Sequence, residues 1–274
     1  NKTAYGIEND AGRYALAGYY LFVLISSLIG DSTILIASLK YKAFKLHKVI
    51  VVIIQHIAFC DLMVTATSAI PKFGSVVCNE WLFGHLRLCN LSAYTAYYFN
   101  VASMLLICNI TTSKLLLLKY PLRFRTVSAK KAHMFCGASW LAALIVPVAS
   151  LLVAVLDGEV SYFSYRSFTC DHGFTSLSWN WLKPSLAVMF LFIPNCLVVT
   201  TTIYLLIIAY RFAGRGRESL KWQGIITTVL TASVYCISAL PFLVSVVGES
   251  IVMVDDESKS FFHTSFYRIA TSFN

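Results

Sequence analysis

Val49–Val77 reads VIVVIIQHIAFCDLMVTATSAIPKFGSVV, an apolar run broken by two fixed charges, Asp61 and Lys72. About 20 mostly apolar residues are enough for a helix to cross the hydrocarbon core of a bilayer. This stretch therefore reads as a transmembrane helix, and the pattern recurs on both sides of it. Further spans fall near residues 14–39, 88–118, 132–156, 178–210 and 224–247. A last apolar stretch, 261–274, is too short to cross and is expected to be cut by the end of the chain. Composition agrees: of 274 residues, 58% are hydrophobic and 13% charged, with a mean hydropathy of +0.70. A soluble domain carries about 25% charged residues. The expected fold is an all-α membrane protein, a seven-transmembrane helix bundle formed as one domain over residues 1–274.

The net charge of +9 would raise nucleic acid as a partner in a soluble chain. Here the charge sits in short segments between spans, where it sets topology instead. Lys40, Lys42, Lys45 and Lys48 follow the first span, Arg123, Arg125, Lys130 and Lys131 the third, and Arg211, Arg215, Arg217 and Lys221 the fifth. Glu8, Asp10, Glu80, Asp157, Glu159, Asp171, Asp255, Asp256 and Glu257 lie on the other side. Basic segments stay in the cytoplasm, so the N-terminus is extracellular and the protein is multi-pass, expected at the plasma membrane. Asn1-Lys2-Thr3 is a glycosylation acceptor on the outer side. Asn109-Ile110-Thr111 has the same pattern but lies inside a span, out of reach of that modification.

No CxxC pair or metal-binding cluster is present, and no nucleophile motif of the G-x-S-x-G kind. An enzyme is therefore not expected, nor is a bound cofactor. Ionisable residues within spans are costly and mark functional positions by default. Asp31 and Asp61 lie at similar depth, and Lys114 and Arg268 are also intramembrane. Two nearby carboxylates share a proton or a cation, unless each is neutralised by its own hydrogen bonds. Pro71, Pro147, Pro194 and Pro241 each remove a helix hydrogen bond and mark kinks.

Several spaced motifs then resemble those of the rhodopsin-like family of G-protein-coupled receptors. They are Gly30-Asp31 in the first span, Ala58-Phe59-Cys60-Asp61 in the second, and Trp81-Leu82-Phe83-Gly84 before Cys89. Trp140, Pro194 and Pro241 mark the fourth, fifth and sixth. Pro121-Leu122 follows Ser113-Lys114-Leu115, which stands where the family has D-R-Y, 25 residues after Cys89. Asn274, 33 residues beyond Pro241, stands where the family has the Asn of N-P-x-x-Y. The chain reads as an atypical, orphan-like member.

The resemblance implies a set of roles. Cys89 and Cys170 are the expected disulfide. Lys72, Tyr94, Tyr97, Asn100, Lys183, Glu249 and Arg268 should line or rim an outer ligand cavity. Asp61, Ser103 and Asn274, with Asp31 beside them, match a pocket that holds Na+ in relatives, with Asp61 the expected ligand. Ser113, Lys114, Leu115, Leu122, Arg123, Arg211 and Lys221 would face the G protein, with arrestin a further candidate partner. Pro194, Thr202, Tyr235, Ala239 and Pro241 occupy switch positions. Ala96 stands where amine receptors place an Asp, and Arg268 where opsins place the retinal Lys, so neither an amine anchored that way nor retinal is expected. Lys72, Lys183 and Arg268 suit a carboxylate, whereas the acidic outer loops suit a basic peptide, and the peptide is favoured. Lys114 in place of the D-R-Y Arg, and Ala239 in place of a Trp, leave open a G-protein-independent decoy or scavenger receptor. A transporter is the remaining rival.

Overall fold

The computed structural model describes residues 10–40, 48–81, 86–157, 159–164, 169–174, 185–186 and 188–213. The first span is one helix, α1 (Asp10–Lys40). The second is α2 (Lys48–Val64), a π turn (Thr65–Ala69) and α3 (Ile70–Cys78). The third is α4 (Leu86–Lys119), followed by a short α5 (Pro121–Arg125). The fourth is α6 (Ala129–Ala143) with α7 (Ile145–Asp157). A hairpin of β1 (Glu159–Ser164) and β2 (Thr169–Phe174) precedes a second π turn (Val188–Phe192) and α8 (Ile193–Ala213). Five helical segments among the described residues are long and apolar enough to cross a membrane. They are Gly12–Lys40, Lys48–Cys78, Leu88–Leu117, Ala129–Val153 and Val188–Ile208; residues 178–184 of the fifth stretch lie outside the described residues. The stretches 224–247 and 261–274 lie outside the described residues.

α4 is the central rod and packs against α2, α6, α7, α8 and both strands. The main core joins Val49, Val52, Ile53 and Cys60 of α2 to Val101, Ala102 and Leu106 of α4 and to Ala132, Cys136 and Ala143 of α6. On α6, Ala132, Cys136, Ser139 and Ala143 recur every three or four residues and are all buried, so one face of this helix is made of small side chains. Lipid tails are as apolar as leucine, so helices in a membrane associate through close contact rather than water exclusion, and small residues permit that contact. Many large apolar side chains face outward as well: Phe22 is 70% exposed, Ile29 64% and Leu141 69%.

The prolines shape the helices as their chemistry requires. Pro71 has no N–H to give the carbonyl of Thr67, four residues earlier. The chain passes through the π turn here, with the Ile70 N–H bonding to Thr65 O. The orphaned Thr67 carbonyl accepts instead from Ser92 Oγ of α4 at 2.5 Å. Pro147 likewise cannot bond to Ala143, and the fourth span breaks there: the Leu144 N–H turns back to Leu141 O at 3.2 Å. Pro194 lies two residues past the end of the second π turn. Asn79 ends α3 in the left-handed region at φ 55°, a conformation that asparagine tolerates.

The hairpin was not expected from the apolar pattern. β1 and β2 pair antiparallel, with Phe163 opposite Cys170, and both strands pack on α4 and α7. Glu80, Asp157, Glu159 and Asp171 fall at this end of the bundle. Lys40, Lys48, Lys119, Arg123, Lys130 and Lys131 fall at the other, which the charge rule places in the cytoplasm.

Candidate functional site

Asp61 occupies the last turn of α2, directly before the π turn. Ser103 of α4, 8% exposed, donates to its Oδ1 at 2.9 Å. A hydrogen bond to a charged acceptor contributes about 1.5–3 kcal/mol, so this contact fixes α2 against α4 at mid-membrane. Asp31 does not touch Asp61 directly. Two hydroxyls join them: Ser27 Oγ lies 2.8 Å from Asp31 Oδ2 and 2.7 Å from Thr65 Oγ1, and Thr65 Oγ1 lies 2.8 Å from the Asp61 carbonyl oxygen.

Counting hydrogens separates two forms of this chain. Each hydroxyl carries one hydrogen. With Asp31 ionised, Ser27 donates to it, and Thr65 must choose between Ser27 and the Asp61 carbonyl. With Asp31 protonated, its hydroxyl donates to Ser27, Ser27 donates to Thr65 and Thr65 donates to Asp61, so every contact holds a hydrogen. Sequence reading found both carboxylates and missed the hydroxyls between them. The signal was there: Ser27 lies four residues before Asp31, and Thr65 four after Asp61, one helical turn in each case.

Asp61, Ser103 and Asp31 are three of the four residues expected at the cation pocket. Asn274, the remaining residue expected there, lies outside the described residues. So do Lys183, Glu249 and Arg268 of the expected ligand cavity, Lys221 of the inner face, Tyr235, Ala239 and Pro241 of the switch, and Asn1. Lys72 on α3 and Tyr94, Tyr97 and Asn100 on α4 all lie toward the extracellular ends of their helices. Asn100 donates its amide to Ala96 O at 2.9 Å. Tyr97 is 39% exposed, and Lys72 and Tyr94 are partly buried.

Cys89, fully buried at the extracellular end of α4, is disulfide-bonded, while Cys60, Cys78, Cys108, Cys136 and Cys196 form no disulfide. Cys170, its expected partner, stands on β2, the strand packed on α4. At the opposite end Ser113, Lys114 and Leu115 are partly buried on α4, and Leu122 and Arg123 of α5 are exposed. Arg211 lies in the last turn of α8. Pro194 is the second residue of α8, and Thr202 is buried there, its Oγ1 without a hydrogen-bond partner among the described residues. Asn109 is not an exposed acceptor: its amide donates to Ser139 Oγ of α6 at 2.8 Å, as its intramembrane position requires.

These features define a class: a polytopic helical membrane protein, outer disulfide on its third span, buried carboxylate at mid-depth and basic inner loops. Residues 30–273 match the family described as 7 transmembrane receptor (rhodopsin family), and the chain belongs to that family. Its architecture is thus the seven-helix bundle with an extracellular N-terminus, and it groups with receptors rather than enzymes. Among curated relatives, Melanopsin-B of Xenopus laevis is 26% identical over 220 residues, 78% of this chain and 39% of that protein. Lysophosphatidic acid receptor 4 of Mus musculus is 28% identical over 179 residues, 64% of this chain and 45% of that protein. Neuropeptide Y receptor type 5 of Sus scrofa is 23% identical over 199 residues, 70% of this chain and 44% of that protein. The chain spans less than half the length of these relatives.

Proposed function

We propose that the chain is a cell-surface receptor that binds an extracellular ligand and activates a heterotrimeric G protein. The observation that carries this is the family match over residues 30–273. The relatives' names point to light, a lysophospholipid and a neuropeptide, so they favour no single ligand class. The acidic outer segments favour a basic peptide, whereas Lys72, Lys183 and Arg268 suit a carboxylate; we take the peptide reading. A ligand that binds one state more tightly shifts a pre-existing equilibrium toward it. The cytoplasmic ends of α4 and α8, with α5, then meet the G protein through Lys114, Leu122, Arg123 and Arg211. Lys114 brings a point charge where a planar guanidinium is usual in the resemblance, so coupling is expected to differ from that of typical members. Asp61 and Ser103 are proposed to take Na+, while Asp31 carries the proton that closes its chain to Thr65.

Basal nucleotide exchange by the full-length receptor across a panel of Gα subunits tests this reading, with Lys114→Arg and an empty vector at matched surface expression. Exchange above vector is the expected result. Silence of both receptors, with or without candidate peptides, would transfer the assignment to a ligand-capturing receptor without G-protein output.

A further inference from the structure

Trp140 of α6 donates its indole N–H to His56 Nδ1 of α2 at 3.1 Å. His56 Nε2 in turn lies 3.2 Å from His133 Nδ1, also of α6. An indole nitrogen is a donor only, and that fact orders the whole array. His56 Nδ1 must be bare, so His56 carries its hydrogen on Nε2. That hydrogen points at His133 Nδ1, which must also be bare, so His133 carries its hydrogen on Nε2. Both rings are neutral, and both tautomers are fixed by one N–H at the end of the chain.

The indole is held in place. Its ring lies 5.9 Å from Phe59, 5.7 Å from Tyr98 and 5.8 Å from Phe99 between centroids. The imidazoles meet edge to face at 5.4 Å. An added proton has nowhere to go without loss. A hydrogen on His133 Nδ1 would face the hydrogen on His56 Nε2. Moving that hydrogen to His56 Nδ1 would bring it against the Trp140 N–H. Either way one of the two links that join α2 to α6 becomes a contact between two donors.

Protons can reach the array. His133 is exposed and begins the second turn of α6, about 6 Å from the cytoplasmic end of that helix at a rise of ~1.5 Å per residue. His133 is the titratable group that acts on His56. Titratable groups on the elements packed around the pair include Asp31 and Lys40 on α1, Lys48, Cys60 and Asp61 on α2, Tyr98 and Lys114 on α4, and Lys130, Lys131 and Cys136 on α6.

We propose that His56, His133 and Trp140 form a proton-sensitive latch between α2 and α6, closed while both imidazoles are neutral and opened by acidification of the cytoplasmic side. The latch requires the membrane orientation but neither the ligand nor the G protein of the preceding proposal. The sign follows from the count: the closed form binds no extra proton, so its stability is full at alkaline pH and falls as pH drops through the imidazole range.

The test uses the purified full-length receptor in lipid nanodiscs, titrated from pH ~8 to ~5.5 to bracket the ordinary imidazole value of about 6.5. The readouts are Tm and the Trp140 emission, the latter taken by difference from Trp140→Phe. Wild type should lose Tm, and its Trp140 emission should change, over the same pH interval. His56→Asn keeps an oxygen to accept the indole hydrogen and does not titrate. It should hold its Tm near wild type at pH ~8 and lose more than half of the acid response in both readouts. Trp140→Phe removes the donor that forces the tautomers, so its Tm profile should flatten too, which keeps the test valid if His56→Asn folds poorly. A wild-type Trp140 emission indifferent to pH, or an acid response of Tm that survives in both variants, overturns the proposal.

Discussion

A single hydrogen decides how Asp31 behaves. The hydroxyls of Ser27 and Thr65 give the chain to Asp61 two hydrogens for its three contacts, and a protonated Asp31 supplies the third. Asparagine offers an amide hydrogen at the same place, whereas leucine offers none. Asp31→Asn should therefore keep a Tm close to wild type in detergent. Asp31→Leu should lose about 1–3 kcal/mol, the cost of an unmade buried hydrogen bond. If the two variants melt alike, the chain does not depend on a hydrogen from this position. Sequence reading reached the carboxylates because charge in a lipid-spanning run is conspicuous. It did not reach Ser27, Thr65 or the His56 to His133 contact, because serine, threonine and neutral histidine are common in such helices and their meaning lies in what faces them.

At the scale of the helix, the second span shows how a backbone defect becomes an interhelical bond. Pro71 leaves the Thr67 carbonyl unpaired, the π turn presents it to α4, and Ser92 fills it. Ser92→Ala should cost about 1–3 kcal/mol, because a buried acceptor is left without a donor. In a Pro71→Ala background the helix regains its own N–H for Thr67, and the same Ser92→Ala change should cost much less. A double-mutant cycle on Tm or urea-induced unfolding measures the difference, and additive effects would contradict the coupling. The helices were legible because hydropathy repeats with a span's length, and the proline positions foretold the irregularities. Their form was not legible: Pro71 and Pro194 sit beside π turns, whereas Pro147 gives a clean break at Leu144. The hairpin was missed because a search for apolar runs passes over short alternating strands. Val160, Tyr162 and Phe163 were its signal, with Gly158 and Gly173 as punctuation.

For the whole bundle, the disulfide at Cys89 fixes the extracellular end of α4, where both strands are packed. Cys89→Ser should lower stability by about 2–4 kcal/mol, the usual worth of such a bridge. If Cys170 is the partner, Cys170→Ser should match it, and the double variant should be no worse than either single one. A double loss near the sum of the two would assign Cys89 to a different cysteine. Of the two stretches outside the described residues, 224–247 was read from its apolar run and 261–274 as too short to cross, and the family match extends to residue 273.

α1 and α4 are both long enough to cross the membrane, yet they answer to different selective pressures. α1 turns Phe22, Ile29 and Leu39 outward to lipid, so most exchanges among greasy residues there leave its neighbours undisturbed. α4 has neighbours along most of its length, with Cys89, Ala102, Met104 and Leu106 wholly enclosed, and one added methylene in such a site already strains the packing. Substitution is therefore expected to be tolerated widely along the first helix and to be restricted at the enclosed positions of α4. A saturation library sorted for surface display would print that contrast as two stripes, one permissive and one almost silent.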